Sequence, residues 1–153
     1  MVFKSNTRVR TKTDYIVVHC SATGENQDIG AADIDKWHRA KGWQCIGYHY
    51  VIRRNGKIEE GRARDVIGAH VEGWNEHSVG ICMVGGVDAN DPSKAKNNFT
   101  PEQFESLHEL LLELRLYYPN AKIQGHRDFP KVAKACPSFD VAEWLKTVDI
   151  TNK

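Results

Sequence analysis

The dipeptide Asn55-Gly56 is the feature that most constrains the fold of this chain. It joins two runs rich in strand-forming residues, 48–54 and 57–62. Asn-Gly is a typical two-residue loop of a β-hairpin, because both loop positions must adopt positive φ and these two residues tolerate it. The sequence therefore predicts an antiparallel pair of strands, so a sheet that contains this pair cannot be entirely parallel.

Strand-like and helix-like runs interleave along the rest of the chain. Further strands are predicted at residues 15–19, 79–84 and 122–126, and helices at 31–41, from the N-cap Thr100 to before Pro119, and at 140–147. A length of 153 residues fits one α/β domain, with a mixed central β-sheet and helices packed on both faces. We expect the largely polar residues 1–13 to form a flexible N-terminal arm and residues 14–153 to form the domain.

Charge and cysteine content exclude several classes of protein. Lys and Arg number 21 against 20 Asp and Glu, a net charge of +1, whereas nucleic-acid-binding domains are usually strongly basic. The four cysteines form no C-x-x-C pair, which argues against a zinc ribbon and a disulfide scaffold. No apolar run resembles a secretory signal or could span a bilayer. We expect a monomer made in the cytoplasm with reduced thiols, without nucleic acid or membrane insertion.

Three residues are candidates for binding a metal ion. His19 and His126 end two predicted strands, and ligand sites of open α/β sheets gather at strand ends. Cys136 follows in a proline-containing loop, with Lys134 two residues before it. A nearby cation favours the thiolate, which is the form of cysteine that binds zinc. The pattern alone leaves two interpretations open: one site built from His19, His126 and Cys136, or three unrelated residues.

Five segments of the chain match one known enzyme family in order and spacing. They are VVHCSAT at 17–23, KGWQCIGYHYVIRRNGKIEEGR at 41–62, GAHVEGWNEHSVGICMVGG at 68–86, GHRDF at 125–129 and KACPSFD at 134–140. These segments resemble the zinc-dependent N-acetylmuramoyl-L-alanine amidases, a family that also includes the peptidoglycan recognition proteins. Within the family, the likeness is greatest to the small phage lysozymes of the T-odd coliphages.

The resemblance implies a catalytic zinc centre. By position, His19, His126 and Cys136 would bind one Zn²⁺ ion, and three protein ligands leave the fourth tetrahedral position for water. Tyr48 and Lys134 match the catalytic pair of the family. Zinc would activate the water and polarise the amide carbonyl, and the cation of Lys134 would stabilise the oxyanion.

Two further positions bear on the site that the resemblance implies. His70 matches a histidine that often lines the substrate groove, which makes it a candidate substrate-binding residue. Many bacterial members have a glutamate at the strand position that is Cys82 here. The general base is therefore left open, with Tyr48 and a second water as candidates.

The function that the resemblance implies is that of an endolysin. Such an enzyme is a peptidoglycan hydrolase that cleaves the amide between N-acetylmuramic acid and the L-alanine of the stem peptide. Two alternatives are a non-catalytic peptidoglycan-binding module and a domain that also binds and inhibits a phage-type RNA polymerase. An endolysin made in the host cytoplasm without a signal peptide would reach the cell wall through a membrane pore formed by a separate protein.

Overall fold

The computed structural model describes residues 2–5, 7–132 and 135–150. The strands are β1 (Tyr15–Cys20), β2 (Tyr50–Ile52), β3 (Ile58–Glu60), β4 (Ser78–Met83) and β5 (Lys122–Gly125), and the helices are α1 (Ala31–Ala40), α2 (Pro101–Tyr117) and α3 (Val141–Leu145). Two short 3-10 turns cover Asn75–His77 and His126–Asp128. Among the described residues, no helix has both the length and the apolar character needed to cross a membrane.

The five strands form one mixed sheet in the order β3-β2-β4-β1-β5. Strand β1 pairs in parallel with β4 and β5, and β2 pairs in parallel with β4. The predicted hairpin is present: β2 and β3 pair antiparallel, and Gly56 at the turn has a φ of 88°. The interior strand β1 therefore ends between two parallel neighbours, β4 and β5, at the end of the sheet where loops can bring side chains together.

Helices cover both faces of the sheet, as the sequence predicted. One face packs against α2 in a continuous apolar cluster that includes Ile16, Val18, Ile81, Leu107, Leu111 and Leu114. The other face packs against α1 through Ala31 and Ile34, which contact Val51 and Cys82. The helix α2 begins where the sequence placed it, because Thr100 and Gln103 form a reciprocal capping box.

The described part of residues 1–13 lies along the domain. Phe3 forms a bridge with Arg62, and Val9 forms one with Val66. Arg10 is only 7% exposed and donates to the carbonyl oxygen of Val66 and to the hydroxyl of Tyr118. This placement differs from that of a detached arm, because a buried guanidinium needs acceptors that only the domain offers. The predicted flexibility of the arm stays a prediction.

Candidate metal centre

His19 in strand β1 lies on the sheet face that packs against α1. Side chains alternate along a strand, so Ile16 and Val18 enter the α2 core while Val17 and His19 point the other way. His19 lies one residue before the end of β1, in register with Cys82 of β4, and is 1% exposed. Burial, with His126 and His49 nearby, holds the pKa of His19 well below its ordinary value. Its imidazole is therefore neutral and has a lone pair to offer a cation.

His19, His126 and Cys136 come together at the end of the sheet, as predicted. Their candidate ligand atoms all lie within 4.8 Å of one another, and they are the one such group of three found among the described residues. The rings of His19 and His126 are 4.6 Å apart, and the Cys136 sulfur is 4.0 Å from Nδ1 of His19. Adjacent nitrogen and sulfur ligands of a tetrahedral zinc ion lie about 3.5 Å apart, so small side-chain movements would close this set around one ion.

Backbone hydrogen bonds fix the two segments that carry His126 and Cys136. The 3-10 turn after β5 is capped by Asp128, whose Oδ2 accepts from the N–H of Gly125 at 2.8 Å. The N–H of Arg127 donates to the carbonyl oxygen of Cys136 at 2.8 Å, which ties the cysteine loop to that turn. The N–H of Cys20 donates to the Cys136 sulfur at 3.1 Å. The neighbouring Cys20 thiol and burial raise the pKa of the Cys136 thiol, and this backbone donor offsets them only in part. A bound cation would therefore have to supply the charge that stabilises the thiolate.

His70 is within hydrogen-bond distance of His19. The sequence had suggested only that His70 lines the substrate groove. Its Nδ1 is 2.9 Å from Nε2 of His19, and its own Nε2 is 3.3 Å from the hydroxyl of Ser78. Ser78 in turn donates to the carbonyl oxygen of Trp74 at 2.9 Å. A metal ion held by Nδ1 of His19 would place the His19 proton on Nε2, and each group in this series would then donate to the next. His70 also lines the larger cavity described below, so the suggested contact with substrate stays a prediction.

Gly80 in β4 makes room for His70. A Cβ at residue 80 would lie 2.7 Å from the His70 ring, a distance that real Cβ atoms do not adopt. A glycine inside a buried strand is a known sign of such close approach. This glycine is the sequence signal from which the position of His70 against β4 could have been predicted. The spacing of residues did not predict the contact between His70 and Ser78.

The ring of Tyr48 lies next to that of His19, on the sheet face that packs against α1. The two rings are 5.0 Å apart, and burial, reinforced by Cys82, Cys136 and Cys20, raises the pKa of the Tyr48 phenol well above its ordinary value. Cys82 is fully buried, and burial raises the pKa of its thiol. Tyr48 therefore keeps its proton at neutral pH and can donate a hydrogen bond. Cys82 therefore offers no negative charge at this position.

Two cavities border the histidine and cysteine cluster. The smaller, of about 330 Å³, is lined by Cys136, Tyr48 and residues of α1. The larger, of about 1080 Å³, is lined by Trp43, Trp74 and the segment after β5. His126 lines both cavities, so the cluster borders both of them. Lys134, the other predicted catalytic residue, falls outside the described residues.

Comparison with known proteins identifies the family. The profile of the N-acetylmuramoyl-L-alanine amidases matches residues 9–139. The chain belongs to the N-acetylmuramoyl-L-alanine amidase family. This match includes all three residues of the cluster together with Tyr48 and Lys134. The family resemblance predicted from the sequence motifs is thereby confirmed.

Individual members of the family cover nearly the whole chain. The endolysins of Klebsiella phage KP32 and Escherichia phage T7 are 47% and 44% identical over 143 residues, covering 94% of this chain and 92% of each relative. The amidase LysC from Clostridium intestinale has a TM-score of 0.74 at 27% identity, over 96% of this chain and 95% of its own. The predicted α/β fold with a mixed sheet and the predicted amidase function are confirmed by these relatives.

Proposed function

We propose that this amidase is zinc-dependent and hydrolyses the bond between N-acetylmuramic acid and the L-alanine of the peptidoglycan stem peptide. The observation that carries the proposal is the His19, His126 and Cys136 cluster, whose ligand atoms lie within 4.8 Å of one another. The cluster borders both cavities through His126. A bond cleaved there has room for substrate on both sides, as an amide between a sugar and a peptide requires.

The chemistry of the donor set fits zinc. Two imidazoles and one thiolate are borderline to soft ligands, and zinc binds such sets in tetrahedral geometry. Three protein ligands are typical of catalytic zinc sites, whereas structural sites use four. When bound, zinc is a Lewis acid that lowers the pKa of water and polarises an amide carbonyl. Hard cations such as magnesium prefer oxygen ligands, and this cluster has none.

Tyr48 and Lys134 are the residues that we assign to the reacting amide. Tyr48 lies against His19 and keeps its proton, so its hydroxyl donates to the carbonyl oxygen as that oxygen gains negative charge. Lys134 matches the family's catalytic lysine by position and adds a positive charge for the same oxygen. Cys82 is neutral and buried, so the proton of the attacking water passes to another group, for which a second water is our candidate.

The products distinguish this function from its alternatives. Purified protein incubated with Gram-negative peptidoglycan should release new N-terminal L-alanine groups and no new reducing sugar ends. Reducing ends without N-terminal alanine would show a glycosidase, and binding without release of either group would show a non-catalytic module. Either result would overturn the proposal.

Single substitutions test the two assigned residues. We expect Tyr48→Phe and Lys134→Ala to fold, to bind zinc and to lose about 10²–10³-fold in kcat, the usual effect of removing one oxyanion donor. Tyr117→Phe is the matched control, because Tyr117 is 51% exposed on α2 and lines neither cavity. Wild-type rates in both active-site variants would contradict the assignment.

A further inference from the structure

His38 is a buried histidine that lines the smaller cavity and has no role in the mechanism above. It lies on α1 and is 8% exposed. Its ring packs between Trp43 and Tyr48, at centroid distances of 4.5 Å and 5.5 Å. Tyr48 separates it from His19. His38 therefore faces the part of the cavity beyond the metal cluster, where a flanking portion of a bound substrate would lie.

A backbone hydrogen bond fixes the tautomer of His38. The N–H of Gly47 donates to its Nδ1 at 2.9 Å. A backbone N–H can only donate, so Nδ1 carries no proton and the proton of the neutral ring is on Nε2. Burial, with Lys41 and Arg62 nearby, lowers the pKa of His38 to about 4. The ring is therefore neutral at neutral pH and presents one N–H of known position.

That N–H is available to a ligand. Within residues 2–5, 7–132 and 135–150, no acceptor is hydrogen-bonded to Nε2 of His38, although the side chain lines the cavity. A donor that faces a cavity without a protein partner can hydrogen-bond a ligand that brings an acceptor oxygen. Trp37, 41% exposed, lines the same cavity and offers an apolar surface beside this donor. A donor next to an aromatic side chain suits an amide group, which has a carbonyl oxygen and adjoining apolar atoms.

We propose that His38 is a substrate-binding residue whose Nε2–H donates to an amide carbonyl oxygen of the substrate in the smaller cavity. The inference rests on the proposed function, which places the cleaved amide at the metal cluster. The substrate has such carbonyls on both sides of that bond, in the 2-acetamido group of the sugar and in the stem peptide. Because the contact is remote from the reacting atoms, it lowers KM and leaves kcat nearly unchanged.

The variant His38→Asn isolates this contact. Asparagine places its side-chain oxygen near the position of Nδ1 and so keeps an acceptor for Gly47, but it has no donor at the position of Nε2. We expect KM to rise about 10-fold, the usual size for one lost hydrogen bond in a binding site, with kcat within a factor of about two. His108→Asn is the matched control, because His108 lies on α2 and bonds to the carbonyl oxygen of Asp149, away from both cavities.

Substrate analogues identify the acceptor. One is a muramyl peptide with hydrogen in place of the 2-acetamido group, and the other has its stem shortened to L-alanine amide. The analogue that lacks the acceptor should cost wild type about 10-fold in kcat/KM and should cost His38→Asn nothing further. The same loss for His38→Asn on the parent substrate and both analogues would assign the acceptor to the L-alanine carbonyl, which both analogues retain. No loss for His38→Asn on the parent substrate would overturn the inference. Failure of wild type to cleave any muramyl peptide would instead overturn the proposed function.

A measurement on the wild-type protein covers the case in which His38→Asn does not fold. In ¹⁵N-histidine spectra, His38 should show the tautomer protonated at Nε2, and its Nε2 resonance should shift saturably as the cleavage products are added. A proton on Nδ1, or an Nε2 resonance unchanged at saturating product, would contradict the proposed hydrogen bond.

Discussion

The two faces of the sheet bury different kinds of side chain. The face against α2 is a continuous apolar cluster, in which Ile16 and Val18 of β1 meet the leucines of the helix. The face towards α1 buries His19 and His49 at 1% and 0% exposure, with His70 bonded behind His19. Burial on the first face is favourable by itself. Burial on the second is tolerated only because each ring is neutral and hydrogen-bonded. The first face, the apolar face, therefore holds the largest hydrophobic cluster, and the second, the histidine face, holds the buried histidines of the site.

The largest expected effect of a single substitution comes from Cys136 on the histidine face. Cys136→Ser should lose the metal ion and more than about 10³-fold in activity, because a hydroxyl stays protonated where the thiol becomes a thiolate. Cys45→Ser is the control, since Cys45 is also a free cysteine but is buried outside the cluster. Metal content and release of N-terminal alanine measure the outcome. One zinc ion per chain retained in Cys136→Ser would remove Cys136 from the ligand set.

Low pH should destabilise the folded protein, because it favours protonation of histidines that are buried as neutral rings on the histidine face. Burial is the main cause that lowers the pKa of His49 to about 3, against 6.5 for an exposed histidine. Between these values the unfolded chain binds a proton that the folded one does not, so this stability is full above pH 6.5 and is lost as pH falls towards 3. His49 alone would account for about 3–5 kcal/mol. Urea unfolding of metal-free protein at several pH values measures the loss, and the exposed His77→Asn should leave it unchanged. A free energy of unfolding that stays constant between pH 6.5 and 4 would contradict this account.

Substitutions on the apolar face should lower the free energy of unfolding without changing metal binding or kcat. Leu111 is fully buried against the sheet, and Leu111→Ala should reduce the free energy of unfolding by about 2–5 kcal/mol. Zinc content and kcat of the folded fraction should match wild type. Leu116→Ala provides the control, because Leu116 on the same helix is 83% exposed and should cost little. A change in metal content in Leu111→Ala would show that the two faces are coupled.

The smallest effect is expected from His70, which positions His19. His70→Ala removes the acceptor for Nε2–H of His19 and should weaken zinc binding about 10–100-fold. His70→Asn should recover part of this affinity, because its side-chain oxygen lies near the position of Nδ1. Competition with a zinc chelator measures both variants. Equal affinities in the alanine and asparagine variants would show that the hydrogen bond to His19 has no such role.

The sequence predicted the apolar face better than the histidine face, for a physical reason. Helix α2 and the hairpin follow from local signals, namely leucine periodicity, the capping box at Thr100 and the turn at Asn55-Gly56. The predicted strand at 48–54 is in fact shorter, covering only Tyr50–Ile52, so that Tyr48 precedes it. Local patterns give the length of a strand poorly because pairing with distant segments decides where it ends.

The cluster of His19, His126 and Cys136 was predicted, but most of its surroundings were not. Strand ends and family motifs identified His19, His126 and Cys136, and the structure brings them together. The hydrogen bonds from His19 through His70 to Ser78 join residues 51 and 8 positions apart, and no periodicity encodes such contacts. His38 shows the same limit, since its fixed tautomer depends on Gly47 nine residues away.

Zinc stoichiometry combined with activity tests the central claim most directly. The purified protein should hold one zinc ion per chain, and removing it with a chelator should abolish release of N-terminal L-alanine from peptidoglycan. One equivalent of zinc should restore the activity of wild type but not of Cys136→Ser. Full activity in protein shown to be metal-free would contradict the account.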